Sequence, residues 1–270
     1  QALIGKLGGI PPLVSLMKNS VLEAQEHSAC ALWHLATLSE NRVIINKSNG
    51  IPPLVSLLLA EGTFAAQIAS MTLLRLATGS SRAAVNIALS GGIKPLVVLL
   101  TRGNSATQQM AAAALAAIAL VARNRDEIAN ADAIKPLIKL LTDRTLGTPE
   151  TAARALANLA RDDKDDTDVR EGTEVDEPES NETSPDVISA IEPTGDAGVV
   201  ESKTTNDTIA SDDESDSSDS DEDGYNGQIV GAESRRTSIK QAGGLRLLIA
   251  MLDGSNLSPS EALKPSTIGG

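Results

Sequence analysis

Through the first 160 positions, apolar residues come in short bursts with helical spacing, divided by polar breaks. One burst holds Leu13, Val14, Leu16 and Met17, and the next holds Leu54, Val55, Leu57 and Leu58. Leu96, Val97, Leu99 and Leu100 form a third, and Leu137, Ile138, Leu140 and Leu141 a fourth. Spacing of this kind gathers the apolar side chains on one face of a helix. Each burst opens alike: Gly9-Ile10-Pro11-Pro12, Gly50-Ile51-Pro52-Pro53, Gly92-Ile93-Lys94-Pro95 and Ala133-Ile134-Lys135-Pro136. The isoleucines Ile10, Ile51, Ile93 and Ile134 are 41, 42 and 41 residues apart. The glycine is expected to end the preceding helix in a left-handed conformation. Proline then suits the first turn of the next helix, where its missing N–H costs nothing. A polar break such as Lys18-Asn19-Ser20 or Arg102-Gly103-Asn104-Ser105 follows. A longer Ala/Leu-rich helix comes next, as in residues 65–77 and 107–122, and then a short helix such as residues 41–47. One such unit cannot bury its apolar face alone, so the units must stack.

A fifth unit starts at Gly243-Gly244-Leu245, with Leu248, Ile249, Met251 and Leu252 in the apolar positions. The stretch before it is 70 residues longer than the matching junction between the first two units. Its two ends remain recognisable. One is Arg161-Asp162; the other, residues 233–240, resembles residues 40–47. The expected organisation is therefore repeats over 1–162, an insertion over 163–232 and the remnant of a fifth, incomplete repeat over 233–270. Prolines Pro259 and Pro265 interrupt the place where the long helix of that last unit belongs. The C-terminus is accordingly expected to be truncated or poorly ordered.

Charge sharpens this division. The net charge of −13 is the sum of +5 over residues 1–160, −20 over 161–232 and +2 over the remainder. An Asp/Glu/Ser/Thr-rich segment with one aromatic residue, Tyr225, buries too little surface to offset the entropy of ordering, so the insertion is expected to be disordered. A core of Leu, Ile, Val and Ala with three aromatics in all suits closely packed helices better than a β-sandwich. The single cysteine, Cys30, allows no internal disulfide, which agrees with a reducing compartment. The first residue is Gln1, which points to a piece of something longer. The longest apolar run, residues 110–122, is shorter than the roughly 20 residues a membrane span requires.

The repeated Gly-x-Ile-x-Pro-Leu opening, the three-helix unit and the period resemble the armadillo repeat family, over residues 1–160. The fold class expected is all-α: an armadillo-type right-handed α-solenoid of four to five three-helix repeats with a long acidic insertion. The resemblance implies a non-catalytic scaffold or adaptor whose third helices line a concave groove for an extended peptide segment of a partner protein. In that groove it places His27, Cys30 and His34 from the first unit and Ile68, Met71 and Arg75 from the second. Met110 comes from the third, and Thr151, Arg154, Asn158 and Arg161 from the fourth and its end. Nuclear-import adaptors of the family repeat an Asn in the row of His34 and a Trp one turn earlier. Only Asn158 matches here, so the row suits an acidic or polar ligand better than a basic signal. Alternatives under the same resemblance are the substrate-recruiting region of a larger ubiquitin ligase and an import-adaptor-like protein. An intracellular location, cytoplasmic or nuclear, is expected, with regulation by the acidic insertion.

Catalysis has little support, because there is no Gly-rich phosphate loop, nucleophile elbow or repeated metal-ligand spacing. His27, Cys30 and His34 share one helix face, but no fourth zinc ligand accompanies them. No catalytic residue, metal or cofactor is assigned. A basic stripe with interleaved aromatics is missing too, so direct nucleic-acid binding is not expected. Ser211, Ser218 and Ser220 each have a carboxylate three residues on, as acidophilic kinases prefer. Arg235-Arg236-Thr237-Ser238 has the form of a basophilic site at Ser238. Phosphates in the insertion would deepen its negative field.

Overall fold

The computed structural model describes residues 1–60, 63–142, 147–162 and 229–252. Among the described residues there are fourteen helices and no strand. They follow a cycle of a short connecting helix, a second helix and a long third helix. The first unit holds α1 (Ala2–Lys6), α2 (Ile10–Asn19) and α3 (Leu22–Leu35). The second holds α4 (Ser39–Lys47), α5 (Ile51–Leu57) and α6 (Thr63–Ala77). Next come α7 (Ser81–Leu89), α8 (Ile93–Arg102) and α9 (Ser105–Ile118), then α10 (Ala122–Asn130), α11 (Ile134–Leu140) and α12 (Thr148–Ala160). Beyond the insertion lie α13 (Gly231–Gln241) and α14 (Gly244–Leu252). No single described helix is long and apolar enough to cross a membrane.

The turn between the connecting and second helices repeats with one correction to the sequence reading. The left-handed residue is not the glycine of the Gly-Ile pair but the residue before it: Gly8, Asn49, Gly91, Asp132 and Gly243, with φ between 56 and 79°. Gly9, Gly50 and Gly92 are right-handed. Their N–H groups reach back to the carbonyls of Ile4, Ile45 and Ile87 at 2.9, 3.0 and 2.9 Å, closing the end of the connecting helix. What the position demands is room: a Cβ on Gly92 would stand 2.8 Å from Ile87 Cγ2 and 3.1 Å from Val55 Cγ2. The fourth unit carries Ala133 instead, and its bond to Ile128 lengthens to 3.4 Å. Gly92→Ala should therefore fold but lose about 1–2 kcal/mol of stability, as a modestly overpacked site does; unchanged urea unfolding would show the turn to be slack.

The long helices pack in series, α3 on α6, α6 on α9 and α9 on α12, with each second helix against the third helix of its own unit. Buried Ile, Leu, Val, Met and Ala from every unit join in one continuous core. The middle long helix is enclosed most fully: every residue from Gln109 to Ile118 is buried. Small residues, Ala31, Thr72, Ala114 and Ala155, recur at one register of the third helices and allow this close approach. Polar side chains stitch neighbours together where they meet. Asn158 Nδ2 donates to the Ala116 carbonyl at 2.8 Å, and Asn86 Nδ2 donates to Asn46 Oδ1 at 2.8 Å.

Three of the connecting helices, α4, α10 and α13, also cap the long helix before them, whose last carbonyls have no partner of their own; α7, with Ala83 and Ala84 at these positions, does not. Asn41 Nδ2 donates to the Leu35 carbonyl and Arg42 Nη1 to those of Ala36 and Thr37. Asn124 does the same for Ile118, and the fully buried Arg125 for Ala119 and Leu120. After the insertion Arg235 and Arg236 take over, donating to Leu159, Arg161 and Ala160 across 74 to 76 residues of sequence. Helix α13 thus meets α12 as α4 meets α3. This moves the sequence pairing by one residue: Arg235 stands where Asn41 stands, since Ile239 and Gly244 correspond to Ile45 and Gly50.

Both ends of the insertion are fastened to α10. Arg125 Nη1 donates to the Asp162 carbonyl at 3.3 Å. At the far end Asn130 and Ile229 exchange two hydrogen bonds of 2.9 and 2.7 Å, and the Asp126 carboxylate accepts from the Gly231 N–H. Residues 229–232, assigned to the insertion on sequence, therefore belong to the folded part; the long hydrophilic stretch 163–228 lies outside the described residues. Replacing 163–228 by a flexible linker of about ten residues should leave the fold intact. It should add about 1.5 kcal/mol of stability, the difference in loop-closure entropy at about 0.6 kcal/mol per doubling of length. A loss of stability in urea unfolding would mean that the segment takes part in the fold.

At the other end, α14 buries Leu247 but leaves Leu245 and Ile249 each 49% exposed, where their counterparts Ile10 and Val14 are covered. The expected third helix of this unit, and the order of the C-terminus, fall on residues 253–270, outside the described residues.

Candidate functional site

The long helices divide the expected groove residues into two groups. Ile68, Met71, Met110 and Thr151 are 0, 3, 2 and 2% exposed, so the structure removes them from the surface. They sit where one long helix lies against the next. Sequence spacing places Ile68, Met110 and Thr151 in the row of His27 and Met71 in the row of Cys30; His27 is exposed, but its counterparts in the later units are covered. Thr151 is further committed to the Gly147 carbonyl at 2.6 Å. His27, His34, Arg154 and Arg161 are exposed, and Cys30, Arg75 and Asn158 are half-buried. The accessible set is therefore largely polar, and three of its seven members are arginines.

In the first unit His27 Nδ1 lies 2.7 Å from the Glu23 carbonyl of its own helix, as a solvated helix residue does. His34 sits edge-on to Trp33, with ring centroids 4.5 Å apart. Among the described residues no cluster of three metal-ligating side chains forms. Burial pushes the Cys30 thiol above its ordinary pKa, which lowers its thiolate fraction near neutral pH. Iodoacetamide at pH 8 should accordingly label Cys30 more slowly in the folded chain than in urea; equal rates would show an open thiol.

The second unit contributes Arg75, near the C-terminal end of α6. Its guanidinium carbon stands 4.4 Å from the centroid of the Trp33 ring, and its Nη1 donates to Thr37 Oγ1. Trp33 itself is buried, packed between two repeats. Arg42, half-buried at the start of α4, donates to the carbonyl of the same Thr37. Burial lowers the pKa of both arginines; the charge of Arg42 lowers that of Arg75 further, while Glu40 partly offsets the shift on Arg42. Arg42 was not among the residues picked out by sequence. The signal that finds it is the pair Asn41-Arg42, repeated at Asn124-Arg125 and echoed by Arg235-Arg236, at a fixed distance before the turn.

Of the modification candidates, Ser211, Ser218 and Ser220 lie outside the described residues. Ser238 is half-buried within α13, its hydroxyl donating to the Ser234 carbonyl at 3.0 Å. The arginines before it are engaged: Arg235 is fully buried, and Arg236 holds the Ala160 carbonyl. A kinase reading this motif as an extended strand would first have to unfold α13.

Comparison with known proteins agrees with this architecture. The family model for the armadillo/β-catenin-like repeat matches residues 1–37 and 122–161. Among solved structures, an engineered protein is 33% identical with a TM-score of 0.54, the match covering 57% of this chain and 63% of that one. Another engineered protein is 31% identical with a TM-score of 0.56, covering 59% and 66%. In both, the match spans less than two thirds of the relative's own length. A designed armadillo repeat protein solved in complex with the peptide (KR)4 is 25% identical with a TM-score of 0.56, covering 59% of this chain and 67% of that one. Curated proteins give no match. With these matches beside the repeated three-helix unit, the chain is an armadillo-like helical solenoid carrying armadillo/β-catenin-like repeats.

Proposed function

We propose that this solenoid is a non-catalytic scaffold that binds an extended segment of a partner protein along its long helices. The observation that carries the reading is the row at one register of the long helices: exposed His34, Arg75 over the Trp33 ring and half-buried Asn158, with the small Ala117 between the last two, joined by exposed Arg154 one turn before Asn158. A designed relative was solved with a peptide bound, which supports a peptide as the ligand class. That peptide is basic, whereas the accessible row here carries arginines, so the ligand expected for this chain is acidic or polar. Asn158, the one residue matching the import-adaptor ladder, already spends its amide on Ala116, which weighs against the import-adaptor reading. The acidic insertion, fastened to α10 at both ends, is proposed to modulate this binding through its charge.

The test is affinity purification with the full chain and with Arg154→Glu. Arg154 is exposed, so reversing its charge should leave the circular dichroism spectrum unchanged while removing partners. An identical set of captured proteins would overturn the assignment of this row.

A further inference from the structure

Arg42 and Arg75 come from different helices, α4 and α6, to the same residue at the end of the preceding repeat. Arg42 binds the Thr37 carbonyl at 3.2 Å, and Arg75 binds the Thr37 hydroxyl. Two like charges in a half-buried place repel, and among the described residues neither forms an ion pair. Arg42 has a structural reason to be there, because it caps the carbonyls that end α3. Arg75 has much less of one. Of the five N–H donors a guanidinium carries, it places one on a described acceptor, and its Nε is buried without a partner. Its place over the Trp33 ring and its bond to Thr37 hold the group in position. A guanidinium so held, with donors unspent and a second cation beside it, suits a carboxylate, which accepts two parallel hydrogen bonds and relieves the repulsion.

We propose that Arg75 and Arg42 together receive a carboxylate of an acidic peptide segment, with Trp33 and Thr37 holding the Arg75 fork in place. This rests on the peptide-binding reading above and gives it a chemistry and an anchoring point. The choice of an acidic protein segment follows from charge complementarity: Arg75 and the exposed Arg154 lie on the same series of long helices, in a repeat region of net charge +5.

The site carries its own reporter, since Trp33 is the single tryptophan of the chain. The experiment titrates the full chain with a labelled octapeptide of alternating Asp and Glu, and in parallel with one of alternating Lys and Arg. Trp33 fluorescence and label anisotropy are both followed. The acidic peptide should bind and change the Trp33 emission, and added salt should weaken it. Arg75→Gln, checked for folding by circular dichroism, should weaken binding about tenfold or more, the ratio corresponding to one lost charge-assisted contact. Arg75→Lys, which keeps the charge but not the fork, should recover only part of that loss. Acidic peptide bound equally well by Arg75→Gln, with Trp33 silent, overturns this anchoring point and leaves the peptide-binding reading standing. Preference for the basic peptide overturns the acidic chemistry alone. A Trp33 signal that responds to salt but to neither peptide assigns the pair to acidic residues of this same chain and overturns the inference. Failure of both peptides to bind, with Trp33 unresponsive to salt, overturns the anchoring point and the peptide-binding reading together.

Discussion

Arg235→Ala should cost about 3 kcal/mol, at the low end of what breaking a buried ion pair costs, and should release α13 and α14 from the end of the solenoid. Arg235 is wholly buried and feeds three groups that lie far from it in sequence. Its Nε donates to the Leu159 carbonyl at 2.6 Å, its Nη2 to the Arg161 carbonyl at 3.1 Å and its Nη1 to the Asp126 carboxylate. Truncation leaves two carbonyls at the end of α12 without this donor and opens a cavity the size of the side chain. The Asp126 side chain keeps 34% exposure, so water can solvate it, which holds the expected cost toward the lower end. Because solenoid repeats contact chiefly their neighbours, the damage should stay local. Hydrogen exchange should accelerate in α13 and the last turn of α12 while α5 to α9 remain protected. Arg235→Lys keeps a charge for Asp126 but not the fork for the carbonyls, so it should recover only part of the loss. Undiminished protection in α13 for the alanine variant would mean that Ile239 and Leu247 hold this unit without the arginine.

The second large effect is expected in the middle of the array. Ala114→Leu should destabilise the chain by about 3 kcal/mol, the upper part of the usual overpacking range. Ala114 is fully buried on α9, which packs against α6, α8 and α12. Its counterparts are Ala31, Thr72 and Ala155, all small. Three added carbon atoms leave the long helices no direction to yield without opening the contact on the other side. Unlike the loss at Arg235, this one should spread, because α9 links the units on both sides. Urea unfolding should lose cooperativity and separate into two transitions. A single transition at unchanged midpoint would show that the spacing of the long helices is not set at this position.

The difference between these two sites shows what the linear chain makes legible. The importance of small residues on the long helices can be seen in the Ala-rich run 111–117, because composition and helical period are local properties. The importance of Arg235 cannot. In sequence, Arg235-Arg236 lies three residues before Ser238 and at the edge of a strongly acidic segment, and it reads as a kinase motif. Its partners are a carboxylate 109 residues away and carbonyls 74 to 76 residues away. A backbone carbonyl left open at a helix end has no sequence signature beyond the end itself. The groove behaves likewise. Register correctly groups Ile68, Met110 and Thr151 with His27, but register says nothing of whether a neighbouring helix covers them. That depends on how closely α6, α9 and α12 approach, which is set by small residues elsewhere on those helices.

By itself, then, the sequence determined the period, the order of helix types, the interruption between the fourth and fifth units and the resumption of the repeat after it. All of these follow from apolar spacing along single helices and from proline and glycine at the turns. Only the tertiary structure decided that the left-handed residue precedes the recurring glycine of the turn, that Arg42, Arg125, Arg235 and Arg236 close helix ends, that both ends of the insertion are fastened to α10, and that Arg75 lies on Trp33 beside a second cation. Apart from the turn, each of those joins groups from different elements, many of them about a repeat or more apart. Whether a polar side chain meets solvent, a carbonyl or another charge is settled by the neighbouring unit that covers it.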